Sequence, residues 1–264
     1  MPAMREKLSK VNQSVEKAIL IVETMARETG PVRLQDLALK CEMPPSTVLR
    51  MLNTLLIYGY VNQDPRTQRY SLSLKFTQLG SRISDQISLR DVAHPFLQEL
   101  SQRCQEASCL ACEENMEVVY IDVVDGPDNI LKIMQRIGKR APMHATGVGK
   151  LLLLNYSHSQ IKELIREKGL PALTPNTLTT QDALEAELEK IRRQGYALDD
   201  EECELGSRCV AAPVRDYSGR IVAAISVSCP IPRMSMERIR MITPMMVEIA
   251  GRVSRELAYG GLAQ

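Results

Sequence analysis

The chain has no tryptophan, two phenylalanines and three histidines among its 264 residues. Aromatic platforms for stacking RNA bases therefore have little to be built from. No apolar run approaches the ~18 residues that a membrane-crossing helix needs. The opening segment MPAMREKLSK carries charge with no apolar core behind it, so no secretory leader is expected. Net charge is nearly absent: 33 Lys and Arg stand against 32 Asp and Glu. That balance excludes a wholly basic nucleic-acid coat protein and an acidic tail protein. The seven cysteines are odd in number and widely spaced. They suit a reducing cytoplasm better than a disulfide framework. Cys109 and Cys112 form a Cys-x-x-Cys, and no second pair completes a zinc site. No cofactor and no membrane partner are expected.

What is present suits a globular chain of one large or two smaller domains, with 44% apolar and 25% charged residues. Charge is unevenly placed. Residues 1–80 hold 11 Lys and Arg against 7 Asp and Glu, and the remainder 22 against 25. A mildly basic first third admits an anionic partner for that part, and equally admits scatter.

Val15, Ala18, Ile19, Val22 and Met25 recur at helical spacing behind Ser14, a candidate N-cap. Gly30-Pro31 ends that helix. A short second helix carries Leu34, Leu37, Ala38 and Cys41, and Glu42-Met43 make a tight turn. Pro44 and Pro45 sit where a first helical turn tolerates proline. A third helix then runs through Val48, Leu49, Leu52, Leu55 and Leu56 to Gly59. Two helices of this size joined by a short turn predict a helix-turn-helix. Tyr60-Val61 and Tyr70-Ser71-Leu72 flank a polar stretch holding Arg66 and Arg69, which predicts a β-hairpin wing with a basic tip. The outward face of the third helix would carry Ser46, Thr47, Arg50 and Asn53. These can reach phosphates or base edges of a double-stranded DNA operator. The alternative is a protein-interaction module with solvated polar residues.

The string SVEKAILIVETMARETGPVRLQDLALKCEMPPSTVLRMLNTLLIYGYVNQDPRTQRYSLSLKFTQLG resembles the winged helix of IclR-type bacterial transcriptional regulators. PMHATGVGKLLL, LTPNTLTT, RRQGYALDDEECELGSRCVAAPV and GRIVAAISVS resemble, in order, segments of that family's effector domain. The resemblance spans residues 13–258. It implies an α+β chain with an N-terminal winged helix-turn-helix over 11–73, a linker helix over 74–89 and a GAF-like effector-binding domain over 90–260. The family often has Gly in the helix-turn-helix turn, where this chain has Glu42. Arg33 stands where a polar N-cap is usual, and Pro45 where Lys is frequent.

In the second part, strands are expected over 107–111, 117–123, 130–136, 209–214 and 221–228. Helices are expected from Val92, from Lys150, between a Thr179–Asp182 capping box and Gly195, and from Ser235 with a kink at Pro244. Residues 136–140 are expected to cap a hairpin in solvent.

Thr146-Gly147-Val148-Gly149-Lys150 superficially suggests a phosphate loop. His144 and Leu151 stand where that motif needs Gly and Ser or Thr, so nucleotide hydrolysis is rejected. What remains is a glycine-containing helix start whose free N–H groups favour an anion, or else a plain helix start packed on a sheet. Ser226 and Ser228 alternate on one face of an apolar strand. With Asp199 and Cys209 they match positions that, in the resembling family, border the effector pocket. His144 is a candidate wall residue, His94 a packing residue and His158 a loop residue. None has a nucleophile motif beside it.

The reading is a cytoplasmic regulator, a repressor by preference, binding its operator as a homodimer or homotetramer. Thr146, Gly147, Val148, Asp199, Cys209, Ser226 and Ser228 would bind a small organic acid, a monocarboxylate with a hydroxyl or keto group. The rival is an effector-binding enzyme or enzyme subunit whose winged helix serves assembly alone.

Overall fold

A computed structural model describes residues 11–84, 87–127, 133 and 135–260. The chain divides between Ile87 and Ser88 into two compact units.

The first unit opens with helices α1 (Gln13–Ala26), α2 (Leu34–Lys40) and α3 (Pro45–Ile57). Asn12, not Ser14, is the N-cap of α1: its Oδ1 accepts from the amides of Ser14 at 3.0 Å and Val15 at 3.3 Å. The correction follows from backbone, since Asn12 holds the extended conformation a cap needs and Ser14 is already helical. Ile21, Leu37, Val48 and Leu52 are wholly buried against one another. Each such side chain contributes roughly 1.5–3 kcal/mol by leaving water. Glu42, in the turn between α2 and α3, has φ +52°, a conformation that glycine adopts more cheaply. Strands β1 (Val61–Gln63) and β2 (Tyr70–Leu72) pair antiparallel as the hairpin, and a single bridge ties Val32 to Tyr70. Helix α4 (Lys75–Ser84) follows.

The second unit is an antiparallel sheet covered on both faces. Its strands are β3 (Ala107–Glu114), β4 (Glu117–Val124), β5 (Arg140–Pro142), β6 (Ala197–Asp200), β7 (Ser207–Arg215) and β8 (Ile221–Pro230), in the order β5-β4-β3-β8-β7-β6. Helices α5 (Leu89–Cys104) and α9 (Met236–Glu256) pack on one face, against Leu110, Val210, Ala212, Ile225 and Val227. Helices α6 (Gly147–Leu153), α7 (His158–Lys168) and α8 (Gln181–Gln194) pack on the other, against Cys109, Ala111, Ala211 and Ala224. The two sets alternate along each strand, as the two-residue period requires.

Several expected boundaries move. The helix expected from Lys150 begins at Gly147, because Thr146 caps it by accepting from the Gly149 amide at 3.1 Å. Thr180, not Thr179, caps α8, and its N3 residue is Ala183, so no capping box forms there. Of the strand expected over 130–136, residues 130–132 and 134 lie outside the described residues, and 133, 135 and 136 are not in strand. Residues 136–140 are exposed, and Arg140, the last of them, also opens β5 and pairs with Glu114 and Glu117. Helix α9 continues through Pro244 to Glu256. No described helix is long and apolar enough to cross a membrane.

Candidate nucleic-acid interface and ligand cavity

In α3 the residues Val48, Met51 and Leu52 face the core. At about 100° per residue, Ser46, Arg50 and Asn53 then share the opposite face, and all three are exposed. Thr47 is half-buried at the edge of that face. Leu49 is 37% exposed and stands on the same face as Ser46, Arg50 and Asn53; its apolar type hid it among expected core positions. No side chain caps α3, whose first turn opens on Pro44 and Pro45.

The wing is a short turn built by Asp64. Its Oδ1 accepts from the amides of Arg66 at 2.9 Å and Thr67 at 2.7 Å. The Thr67 amide in particular holds this exposed carboxyl below its usual range. Arg66 is exposed at the tip, as expected. Arg69 is half-buried and donates through Nη1 to the Pro31 carbonyl at 3.3 Å. Arg69 thus braces the base of the wing and is not a second free cation at its tip.

In the second unit, pairing register places Asp199, Cys209 and Ser228 side by side across β6, β7 and β8. Together with Thr146 they line a cavity of about 100 Å³. Tyr120, Cys203 and Ser207 complete much of the wall, and exposed Lys139 and Arg140 stand at its edge. Gly147, Val148 and Ser226 are not on this wall. Gly147 lies against β6 and β7, where an added Cβ would meet Ala211 Cβ at 3.3 Å and the Asp199 amide nitrogen at 3.6 Å. Val148 is buried in the core beneath. Ser226 is one row further along, opposite Ala211 and Cys109. Its buried Oγ has no hydrogen-bond partner among the described residues. The amides of Gly147 and Val148 open α6 and have no acceptor within the helix.

The wall is rich in neutral donors. Asp199 Oδ1 accepts from the amides of Glu202 at 2.8 Å and Cys203 at 3.3 Å. Burial raises the Asp199 carboxyl to about 7, helped by the nearby Glu202 charge and opposed by these amides and by Lys150. Burial likewise pushes the thiols of Cys209 to about 12 and Cys203 to about 11, with Asp199 adding to both. The Tyr120 hydroxyl is also raised by burial. Thiols so shifted are not nucleophiles near neutral pH. Thr146 Oγ1 already donates to the Pro142 carbonyl at 3.1 Å and Cys209 Sγ to the Val210 carbonyl at 3.8 Å, so the neutral donors left on the wall are the hydroxyls of Tyr120, Ser207 and Ser228 and the Cys203 thiol.

Neighbouring positions refine the expectations for histidine. His144 is buried, with Nε2 3.1 Å from the Pro171 carbonyl, and burial lowers its pKa. It does not line the Asp199 cavity. It lines a separate cleft of about 300 Å³ with Met143, Leu164 and Lys168. His94 lies 2.7 Å from buried Asp122, and His158 is the first residue of α7, 2.7 Å from Glu185. No group of three His, Cys, Asp or Glu among the described residues could hold a metal.

Sequence reasoning missed Lys150 and Glu202, whose ion pair of 2.5 Å is buried beside Asp199. A lysine followed by four leucines was the available signal.

Residues 14–65 match the IclR helix-turn-helix domain, and residues 82–255 match the bacterial transcriptional regulator IclR C-terminal family. The HTH-type transcriptional regulator XynR of Escherichia coli (strain K12) is 32% identical over 94% of this chain and 98% of that protein. The transcriptional repressor IclR of the same organism is 33% identical, over 95% of this chain and 91% of that protein. Among solved structures, the IclR of Thermotoga maritima aligns at 32% identity with a TM-score of 0.62, covering 93% of this chain and 99% of the other.

Proposed function

The chain belongs to the IclR family of bacterial transcriptional regulators, and we propose that it is a repressor whose hold on its operator is modulated by a small carboxylate. It is a DNA-binding regulator, and its relatives are regulators rather than enzymes. The repressor reading draws on the relative named as a transcriptional repressor.

The observation that carries the effector reading is the meeting of Thr146, Asp199, Cys209 and Ser228 on one small cavity wall. An entering monocarboxylate finds hydroxyl, thiol and, near neutral pH, a carboxyl able to donate. The first amides of α6, at Gly147 and Val148, lie behind this wall, so they would act on the acid's carboxylate end through the field of the helix start and not by direct contact. A hydroxyl or keto group at the other end would meet Asp199, Cys209 and Ser228. Ser226, with its unpartnered hydroxyl, would respond through the neighbouring row.

On the DNA side, Arg50, Asn53 and Ser46 are the proposed readers of base edges, with Thr47 at the margin and Arg66 on phosphate. A single helix of this kind reads only a few base pairs, and palindromic operators match two-fold proteins. We therefore assign a homodimer or homotetramer. Exposed apolar residues on α1 (Val15, Ile19) and α4 (Ile83) supply surface for such an assembly. Operator binding measured against a panel of two- to six-carbon 2-keto and 2-hydroxy acids tests the whole reading. An acid that raises the melting temperature and shifts operator affinity supports it. Turnover of such an acid without operator binding supports an enzyme instead.

A further inference from the structure

Lys150 is wholly buried, and its ammonium lies 2.5 Å from Glu202 Oε1. An ammonium taken out of water is costly unless it is paired and hydrogen-bonded. Here one carboxylate from the turn after β6 supplies that pairing for a lysine of α6. The same turn is fixed from a second side. Thr177 Oγ1 donates to the Glu202 carbonyl at 2.6 Å, and Thr174 Oγ1 to the Glu201 carbonyl at 2.6 Å. Its third attachment is the Glu202 amide on Asp199 Oδ1. Cys203 and Glu204, next in the turn, line the cavity. Glu202 Oε2 is buried without a hydrogen-bond partner among the described residues.

We propose that the Lys150–Glu202 pair is the positioning device of the cavity, clamping the 201–204 turn over it and setting how much negative charge Asp199 and a bound acid share. This rests on the carboxylate reading of the cavity and adds the groups that tune it. Lys150 and Glu202 are positioning residues, since neither lines the cavity. The charged and titratable groups around Asp199 are Lys150 from α6, Glu202, Cys203 and Glu204 from the turn, Cys209 from β7 and, across the cavity, Arg140 of β5. Tyr120 of β4 also senses Asp199, and Lys139 acts on Cys203.

Two substitutions pull this arrangement in opposite directions. Glu202→Gln keeps size and an acceptor but removes a negative charge, leaving Lys150 to favour ionised Asp199. Lys150→Met keeps bulk and removes the positive charge, favouring neutral Asp199. The probe is whichever acid of the 2-keto and 2-hydroxy panel most raises the melting temperature of the wild type. Its affinity is measured by calorimetry from pH 5 to 9. The midpoint of the pH dependence should fall by about one unit in Glu202→Gln and rise by about one unit in Lys150→Met. A pair that merely supports the fold would change affinity or melting temperature without opposed shifts. Wild-type midpoints in both variants overturn the assignment while leaving the cavity reading intact. A wild type that binds no acid of the panel overturns the cavity reading and this assignment with it. If thermal melts show either variant unfolded, the other decides. If both are unfolded, carbon-13 titration of the wild-type carboxyl groups decides: Asp199 and Glu202 titrating in linked steps supports the assignment, and independent titration overturns it.

Discussion

Gly147 lies so close to Ala211 that a methyl group on it would stand 3.3 Å from the Ala211 Cβ. This contact seats the start of α6 on β7, beside the row that holds Asp199, Cys209 and Ser228. Gly149 is tighter still: a Cβ there would meet the Met143 backbone at 2.4 Å. Gly147→Ala is expected to weaken acid binding with a small loss in melting temperature. Gly149→Ala is expected to cost ~1–3 kcal/mol of fold stability by overpacking. Paired melts and binding titrations check this, and equal stability losses in both variants would remove the distinction.

Arg50 is the outward cation of α3. Arg50→Ala should cost ~1–3 kcal/mol of operator affinity at fixed salt if it forks onto a guanine. Fluorescence anisotropy on a labelled operator reads the change. An unchanged affinity takes Arg50 out of the interface.

The two wing arginines should not behave alike. Arg66→Gln should flatten the salt dependence of DNA binding by about one charge, on operator and random DNA equally. Arg69→Gln should act less on the salt slope and more on melting temperature, because Arg69 braces Pro31. Equal salt slopes for the two variants would show that the brace yields to DNA.

Asp199 gives a pH signature in stability. Its folded-state carboxyl, raised to about 7 from 3.8, keeps a proton that the unfolded chain has already released. Its contribution is therefore fully present below about pH 4 and is lost as pH rises through about 7, at no more than ~1.4 kcal/mol per pH unit. Asp199→Asn removes this loss while keeping an acceptor for the Glu202 amide. The melting temperature of the variant should gain on the wild type between pH 4 and 7 and then hold level. A constant difference across that window would show an ordinary carboxylate.

Much of this was legible in the sequence because the period of apolar residues is dictated by burial. The helices carrying Leu37 and Leu52 follow from spacing, and the strands around Val210 and Ile225 from two apolar runs on either side of a turn. Caps were misplaced by one or two residues, at Asn12 and Thr180, because several Ser, Thr and Asn neighbours could each cap and backbone conformation chooses among them. Family resemblance located Asp199, Cys209 and Ser228, and strand register then explains why they adjoin. The Lys150–Glu202 pair was not legible. The partners lie 52 positions apart in sequence, and nothing local marks a charge that the fold will bury. The place of Arg69 at the base of the wing was not legible for a related reason: its partner is a backbone carbonyl on a distant loop.

The most direct test of the account is operator affinity of the wild type and of Ser228→Ala, with and without the best acid of the panel, at fixed salt. The acid should shift wild-type affinity severalfold. Ser228→Ala should bind the operator as the wild type does without acid, and need roughly 2- to 10-fold more acid for the same shift, as loss of one hydrogen bond implies. An identical acid response in wild type and variant would place the ligand elsewhere and contradict the assignment of this cavity.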